Sequence, residues 1–116
     1  MKLESMSVEE VVLEQLAGYN ARDINRYAAT FSQDLELYNF GEKKPFLTGM
    51  EDLIKLYKDI FDNSPELHCK MLSKMILGHT VILEEMVTGR VDKTLELIAI
   101  YEVKAGLIFR LTFVKE

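Results

Sequence analysis

The sequence predicts an α+β domain in which helices cover one face of an antiparallel sheet. Apolar residues recur at helical spacing in most of the chain up to about residue 63, and they alternate with a period of two after Pro65. These two periods distinguish amphipathic helices from half-buried strands. Because the helical segments precede the last four strands instead of separating them, they can cover only one face of the sheet. A length of 116 residues is typical of one domain, so a single domain spanning residues 1–116 is expected.

Capping residues mark the first two predicted helices. Ser7 and Glu10 have the spacing of a capping box, so the first helix is expected to begin there and to run to about Tyr19. Asp23 can cap a second, short helix whose apolar face extends to Phe31. The two helices are expected to form one apolar layer.

A strand and a third helix are predicted next. The period of two over residues 34–40 indicates the strand. Thr48 and Glu51 have the spacing of a second capping box, which predicts a helix from there to Asn63. Pro65 ends this helix because proline disfavours the helical conformation in the residue before it.

The remainder of the chain predicts a four-stranded antiparallel meander. Turn residues at 78–79, 89–93 and 105–106 divide it into segments of roughly ten residues. Alternation along the second segment places Leu83 and Glu85 on the same, more apolar face. We therefore expect a carboxyl group on the inner side of the sheet.

Composition argues against several classes of function. The net charge is −5 and the 14 Lys and Arg residues are scattered, which disfavours nucleic-acid binding. No apolar run reaches the ~20 residues of a membrane span, and Met1–Ser7 lacks the apolar core of a signal peptide. The single cysteine, Cys69, cannot form an internal disulfide, so a cytoplasmic location is expected. His68 and His79 are predicted to be exposed without neighbouring ligands, so no metal or other cofactor is expected.

Several short motifs follow one another in a characteristic order. They include Asn20–Asp23 with the pattern N-x-x-D, Phe31–Asp34 with the pattern F-x-x-D, and the segment Ile100–Ile108. Together with the order of helices and strands, they resemble the NTF2-like superfamily in its SnoaL-like and ketosteroid-isomerase-like branch. The resemblance spans nearly the whole chain. It implies a cone in which three N-terminal helices pack on a curved antiparallel sheet.

The resemblance also indicates where the catalytic residues of ketosteroid isomerases would lie. Those enzymes use an aspartate base, with a tyrosine and a protonated aspartic acid that stabilise the oxyanion. The matching positions hold Gln15, Asn39 and Ala99. An amide has no useful basicity near neutral pH and alanine donates no hydrogen bond, so ketosteroid isomerase chemistry is not expected.

A small, largely apolar ligand is the expected occupant of a pocket between the helices and the sheet. Glu85 is the candidate catalytic acid or base, because burial raises the pKa of a carboxyl group. A bulge or a structural ion pair would leave Glu85 without such a role. The tyrosines could place hydroxyl groups in the pocket, but such residues are more often core residues with a solvated hydroxyl. The predicted pocket residues are Gln15, Leu16, Tyr19, Phe31, Asn39, Leu53, Tyr57, Leu83, Ala99, Tyr101, Leu111 and Phe113.

The sheet face away from the helices is expected to join two copies of the chain. Alternation places Ile98, Ile100, Ile108 and Val114 on this outer face, and a monomer would leave them exposed. We therefore expect a homodimer. Three functions remain open. The first is binding of a small ligand without chemistry, and the second is an enzyme of the SnoaL-like type, an isomerase, cyclase or hydrolase that uses Glu85. The third is a non-catalytic dimerisation module.

Overall fold

The computed structural model describes residues 6–90 and 93–116, which form three helices and one curved, unclosed sheet. The predicted α+β class is confirmed. Residues 1–5, most of the segment predicted to lack the apolar core of a signal peptide, lie outside the described part. Residues 91–92 of the predicted turn at 89–93 also lie outside it. The elements are α1 (Val8–Asn20), α2 (Ile24–Ala28), β1 (Phe31–Asn39), β2 (Leu47–Thr48), α3 (Met50–Asn63), β3 (His68–Leu77), β4 (Thr80–Arg90), β5 (Lys93–Lys104) and β6 (Leu107–Lys115).

The six strands form one sheet in the order β2-β1-β6-β5-β4-β3. Strands β3 to β6 form the predicted antiparallel meander. Strand β1 pairs antiparallel with β2 and parallel with β6. Helices α1 and α3 pack against the same face of this sheet, which we call the inner face. The strands β4, β5 and β6 therefore lie opposite the helices.

Both predicted caps of the first two helices are present. The Ser7 Oγ accepts a hydrogen bond from the Glu10 amide at 3.1 Å, and the Ser7 amide donates to Glu10 Oε1 at 2.8 Å. This is the complete capping box. The Asp23 carboxylate accepts from the Arg26 amide at 3.1 Å and begins α2.

Two boundaries differ from the sequence prediction. The capping box predicted at Thr48 is wrong, because Thr48 belongs to β2 and α3 begins after Gly49 without a side-chain cap. Strand β1 begins at Phe31, earlier than expected. Phe31 pairs with Ile108 in the parallel ladder, and this long-range pairing overrides the local helical pattern.

Register shifts interrupt the regular alternation of each strand pair in the meander. The shift between β5 and β6 pairs Ile108 with Val103 and buries it completely. The expectation that Ile108 lies on the outer face is therefore wrong, since one extra residue in a strand reverses the faces that follow. Ile98 pairs with Val114 on the outer face and remains 40% exposed.

The described part of the chain contains no helix that is both long enough and apolar enough to cross a membrane. The core lies between the helices and the inner face of the sheet. Tyr27, Leu35, Leu37, Leu53 and Leu83 are among its largest fully buried side chains.

Candidate functional site

A partly enclosed cavity of about 110 Å³ lies between the helices and the inner face of the meander. Residues of α1 and α3 form one wall, and residues of β4, β5 and β6 form the other. Much of the surface is apolar, as in most sites for small ligands. Its aliphatic and aromatic lining includes Leu16, Leu56, Ile60, Leu95, Leu97 and Phe113.

Glu85 lies in the sheet wall of the cavity because β4 alternates regularly along its central part. Leu83, Glu85 and Val87 are at most 5% exposed, whereas the intervening Glu84 faces solvent. The predicted inward orientation of this part of β4 is confirmed. On the next strand, Leu97 is the residue paired with Glu85, so the carboxyl group stands beside apolar side chains.

Burial raises the pKa of Glu85 from its ordinary 4.5 to about 7. Two hydrogen bonds oppose this rise by stabilising the carboxylate. The Tyr101 hydroxyl donates to Glu85 Oε2 at 3.1 Å, and the Cys69 thiol provides the second donor. Among the described residues, no salt bridge to Glu85 is present. A carboxyl group with this pKa can both release and accept a proton near neutral pH.

The two donors to Glu85 keep their own protons. Burial raises the pKa of the Tyr101 hydroxyl and that of the Cys69 thiol. Asn20 holds the Cys69 backbone in place, since its side chain accepts from the Cys69 amide at 2.7 Å and donates to the Cys69 carbonyl at 3.0 Å. A protonated thiol is a poor nucleophile, so Cys69 serves here as a hydrogen-bond donor.

Gln15 provides a second polar group, in the helical wall. Its side chain is 4% exposed, and Oε1 has no hydrogen-bond partner within the described residues. Burial raises the pKa of the nearby Tyr27 hydroxyl, and the Gln15 side chain offsets part of this rise. An unpaired buried acceptor costs about 1–3 kcal/mol, and a ligand that donates to Oε1 would recover much of this cost.

Two cationic residues, Arg90 and Lys115, also line the cavity. Sequence reasoning missed both of them. For Arg90, the isolated Gly89 near the end of a strand could have indicated a bulge and therefore a changed face. The inner-face position of Lys115 follows from the strand register, which pairs Lys115 with Leu97 on that face. The other lining residues absent from the predicted pocket are Tyr27, Phe46, Leu56, Ile60, Cys69, Val87, Leu95 and Leu97.

The structure brings together some of the predicted pocket residues and separates others. Those that line the cavity, together with Glu85, are Gln15, Leu16, Tyr19, Tyr57, Tyr101, Leu111 and Phe113. Phe31, Leu53, Leu83 and Ala99 belong instead to the packed core, each at most 3% exposed. Their side chains fill the part of the cone in which the sequence predicted open space.

Asn39 lies apart from the cavity. It pairs with Phe113, which lines the cavity, but stands on β1, one strand farther toward the edge of the sheet. It lines a separate surface depression together with Glu42, Arg110 and Thr112. The amides of Gln15 and Asn39 therefore do not face a common ligand.

Metal-ligating side chains are not grouped in the described part of the chain. No set of three or more His, Cys, Asp or Glu residues there has the arrangement of a metal site. His68 and His79 are exposed, on β3 and in the turn that follows it.

Comparisons with known proteins identify a matching family model and several solved structures of similar fold. The family model of the SnoaL-like domain matches residues 12–111. No curated protein matches the chain in sequence. An uncharacterised cystatin-fold protein from Novosphingobium aromaticivorans has a TM-score of 0.88 at 22% identity, and the alignment covers 96% of this chain and 100% of that one.

Two further structures are similar in fold. A SnoaL-like protein of unknown function from Burkholderia thailandensis has a TM-score of 0.79 at 12% identity, with 94% of this chain and 93% of that chain covered. An LEH-like epoxide hydrolase from M. tuberculosis has a TM-score of 0.76 at 17% identity, with 94% and 82% covered. At these identities the likeness establishes a shared fold, while the chemistry must be argued from the site.

Proposed function

The chain belongs to the SnoaL-like domain family, and from this premise we propose that it binds a small, largely apolar molecule carrying a hydrogen-bond donor. The observation that carries the proposal is Gln15 Oε1, an acceptor that is buried in the wall of the cavity without a partner among the described residues. A ligand hydroxyl placed there would pair with Oε1. The apolar lining would contact the rest of the ligand.

The size of the cavity limits the ligand. An engineered cavity of roughly 150 Å³ in another protein holds one benzene molecule. The present cavity measures about 110 Å³ and is partly open. The enclosed part of the ligand is therefore about the size of a short branched chain, and any further part would extend through the opening.

A titration with 3-methylbutanol tests this proposal. The measurement is the shift of methyl resonances in protein labelled with ¹³C at Leu and Val methyl groups. We expect shifts confined to cavity residues such as Leu16, Leu56 and Leu97. The Gln15→Leu variant should bind the alcohol at least about fivefold more weakly, because it lacks the acceptor.

The matched control is Gln33→Leu, which alters an exposed glutamine on β1 and should leave the affinity unchanged. Equal binding of the alcohol by wild type and Gln15→Leu would contradict the proposed role of Gln15. Absence of any shift at cavity methyl groups would contradict ligand binding itself.

A second candidate function, proton transfer, is favoured by the pKa of about 7 at Glu85 in the same cavity. In such a reaction Glu85 would remove a proton from a carbon beside a carbonyl group and return it to the same or a neighbouring carbon. An acid whose pKa lies near the working pH is well suited to both steps. Family relatives of isomerase, cyclase or hydrolase type offer parallels for this chemistry.

Hydrogen–deuterium exchange at the carbons next to the carbonyl of 4-methyl-2-pentanone provides an assay. The wild type in heavy water near neutral pH should accelerate this exchange, and Glu85→Gln should lose at least roughly a hundredfold of the acceleration. Glu84→Gln, which changes the exposed neighbour on the same strand, is the control. Equal exchange rates for wild type and Glu85→Gln would exclude catalysis by Glu85.

We also propose that two copies pair through the outer face of the sheet. Support comes from Met75 and Ile98, which are 65% and 40% exposed on this face although both are large and apolar. A location in the cytoplasm is part of the proposal and is supported by the single, buried thiol of Cys69.

A further inference from the structure

The β-bulge near the end of β4 turns Arg90 toward the cavity. In unbroken alternation with Glu85 and Val87, residue 89 would face inward and residue 90 outward. The register shift between Val87 and Arg90 adds one residue to β4. Arg90 therefore lies on the same inner face as Val87 and contributes to the cavity lining.

Glycine at position 89 permits this bulge for two reasons. Gly89 has φ +77°, a conformation that side chains disfavour. A Cβ atom there would also lie 2.1 Å from the carbonyl oxygen of Glu66, which is backbone and cannot move aside easily. The close approach of two backbone segments and the inward position of Arg90 thus depend on the same glycine.

The positive charge of Arg90 acts within the cavity. Burial raises the pKa of the Tyr57 hydroxyl, and the Arg90 guanidinium offsets part of this rise. Burial likewise raises the pKa of Tyr19, and Arg90 opposes it there too. The guanidinium group therefore lies within electrostatic reach of two hydroxyl groups that line the cavity.

Lys115 places a second positive charge on the cavity lining. It is exposed to solvent, and its ammonium group lies 5.4 Å from the centre of the Phe113 ring. Arg90 and Lys115 lie near the ends of β4 and β6, and both line the cavity. The register places Lys115 level with Glu85 through Leu97, and Arg90 lies farther toward the end of β4. Although the chain as a whole carries a net charge of −5, this part of the cavity is cationic.

From this arrangement we infer that the ligand is a small carboxylate. Its anionic group is bound by Arg90 and Lys115, and its apolar body enters the cavity together with the hydrogen-bond donor that pairs with Gln15 Oε1. A guanidinium group binds a carboxylate with paired hydrogen bonds, which gives both affinity and orientation. A carboxylate placed against Glu85 would instead meet a second acidic group of the lining. This inference rests on the proposed function and adds the chemical class of the ligand.

Isovalerate and isovaleramide provide a matched pair of probes. They share the branched chain of 3-methylbutanol. Isovalerate carries a negative charge, whereas isovaleramide is neutral and has amide N–H donors, so the pair tests the preference for charge and not the contact with Gln15. We expect the wild type to bind isovalerate roughly tenfold more tightly than isovaleramide, since a hydrogen bond to a charged group contributes more than a neutral one. The measurement is the ¹³C-methyl titration described for the alcohol.

Substitution of the two cations should remove this preference selectively. Arg90→Gln should weaken isovalerate binding roughly tenfold and leave isovaleramide binding unchanged. Lys115→Gln should have a smaller effect in the same direction because its ammonium group is exposed to solvent. Lys104→Gln, which removes an exposed positive charge at the end of β5, is the control and should change neither affinity.

The outcomes separate the two claims. The inference about charge would be overturned if the wild type bound both probes with equal affinity, or if Arg90→Gln lost affinity for both probes equally. Binding of 3-methylbutanol would in that case still support a ligand cavity. If neither the alcohol nor either probe shifts the cavity methyl groups, the proposed function fails and the inference about its ligand fails with it.

Discussion

The Tyr101 hydroxyl donates a hydrogen bond of 3.1 Å to Oε2 of Glu85 across two neighbouring strands. Tyr101 and Glu85 are not directly opposite each other, because the register pairs Tyr101 with Val81 and Glu85 with Leu97. The side chains of Tyr101 and Glu85 therefore approach each other diagonally along the inner face. Ala99 lies between Tyr101 and Leu97 on that face of β5 and presents only a methyl group. A larger side chain at this position would compete for the space between Tyr101 and Glu85.

The raised pKa of Glu85 predicts that the protein loses stability as the pH rises through the range from 4.5 to about 7. In this range the unfolded chain releases the Glu85 proton while the folded protein keeps it, so protons are bound more strongly by the folded state. Below this range Glu85 is protonated in both states, so the folded protein has no free-energy penalty from a buried, ionised carboxylate. Above it the penalty is complete, at roughly 3 kcal/mol.

Glu85→Gln isolates this contribution, because glutamine does not titrate. The quantity of interest is the free energy of unfolding of the variant minus that of the wild type. This difference should be roughly 3 kcal/mol larger at about pH 8 than at about pH 4. Urea denaturation at both pH values measures the difference. Glu84→Gln should show no such change, and a pH-independent difference between wild type and Glu85→Gln would contradict the raised pKa.

Removal of the Tyr101 hydroxyl should raise the pKa of Glu85 still further. The hydrogen bond from Tyr101 stabilises the carboxylate and opposes the effect of burial. Tyr101→Phe deletes the donor while keeping the ring, so the midpoint of the Glu85 titration should move above about 7. The ¹³C shift of the Glu85 carboxyl carbon reports this midpoint. A midpoint that stays constant or falls would show that the bond is not formed in solution.

Gly89→Ala should destabilise the protein by more than about 2 kcal/mol, because both the positive φ and the close Glu66 carbonyl disfavour a side chain. Gly78→Ala is the matched control. Gly78 also has a positive φ, of +59°, but no atom lies within 4 Å of a Cβ placed there. Its variant should lose only about 1 kcal/mol. Equal losses by urea denaturation would mean that the contact with Glu66 is unimportant.

Ile100→Asp should convert the proposed dimer into a monomer. Ile100 pairs with Ile82 and Thr112 on the outer face, where a carboxylate would be buried in the interface without a partner. Light scattering at micromolar concentration measures the mass. The control is Ile54→Asp, at a residue on α3 that is 37% exposed. A monomeric wild type would contradict the proposed interface.

Local patterns were sufficient to predict most of the helices and strands. The capping box of Ser7 and the alternation along β4 both depend on residues close together in the chain, and both are present in the fold. The short strand β2 was not predicted, because only its pairing with β1 distinguishes these two residues from a loop. Long-range pairing also extended β1 to Phe31.

The candidate site was harder to predict, because strand bulges and side-chain packing determine its shape. Alternation was enough to place Glu85 on the inner face, whereas Arg90 reaches that face only through the shift at Gly89. Ile108 was misplaced for the same physical reason. The core positions of Leu53 and Leu83 depend on how completely the helices fill the cone, and no local pattern records this.

A titration of the Glu85 carboxyl carbon by ¹³C NMR, in free protein and with 3-methylbutanol, tests most directly whether Glu85 lies in a ligand-binding cavity. We expect a midpoint of about 7 in the free protein. We also expect a further rise when the alcohol occupies the cavity and excludes water from the carboxyl group. A midpoint near the ordinary 4.5 that does not respond to the alcohol would contradict the claim that Glu85 lies in a ligand-binding cavity.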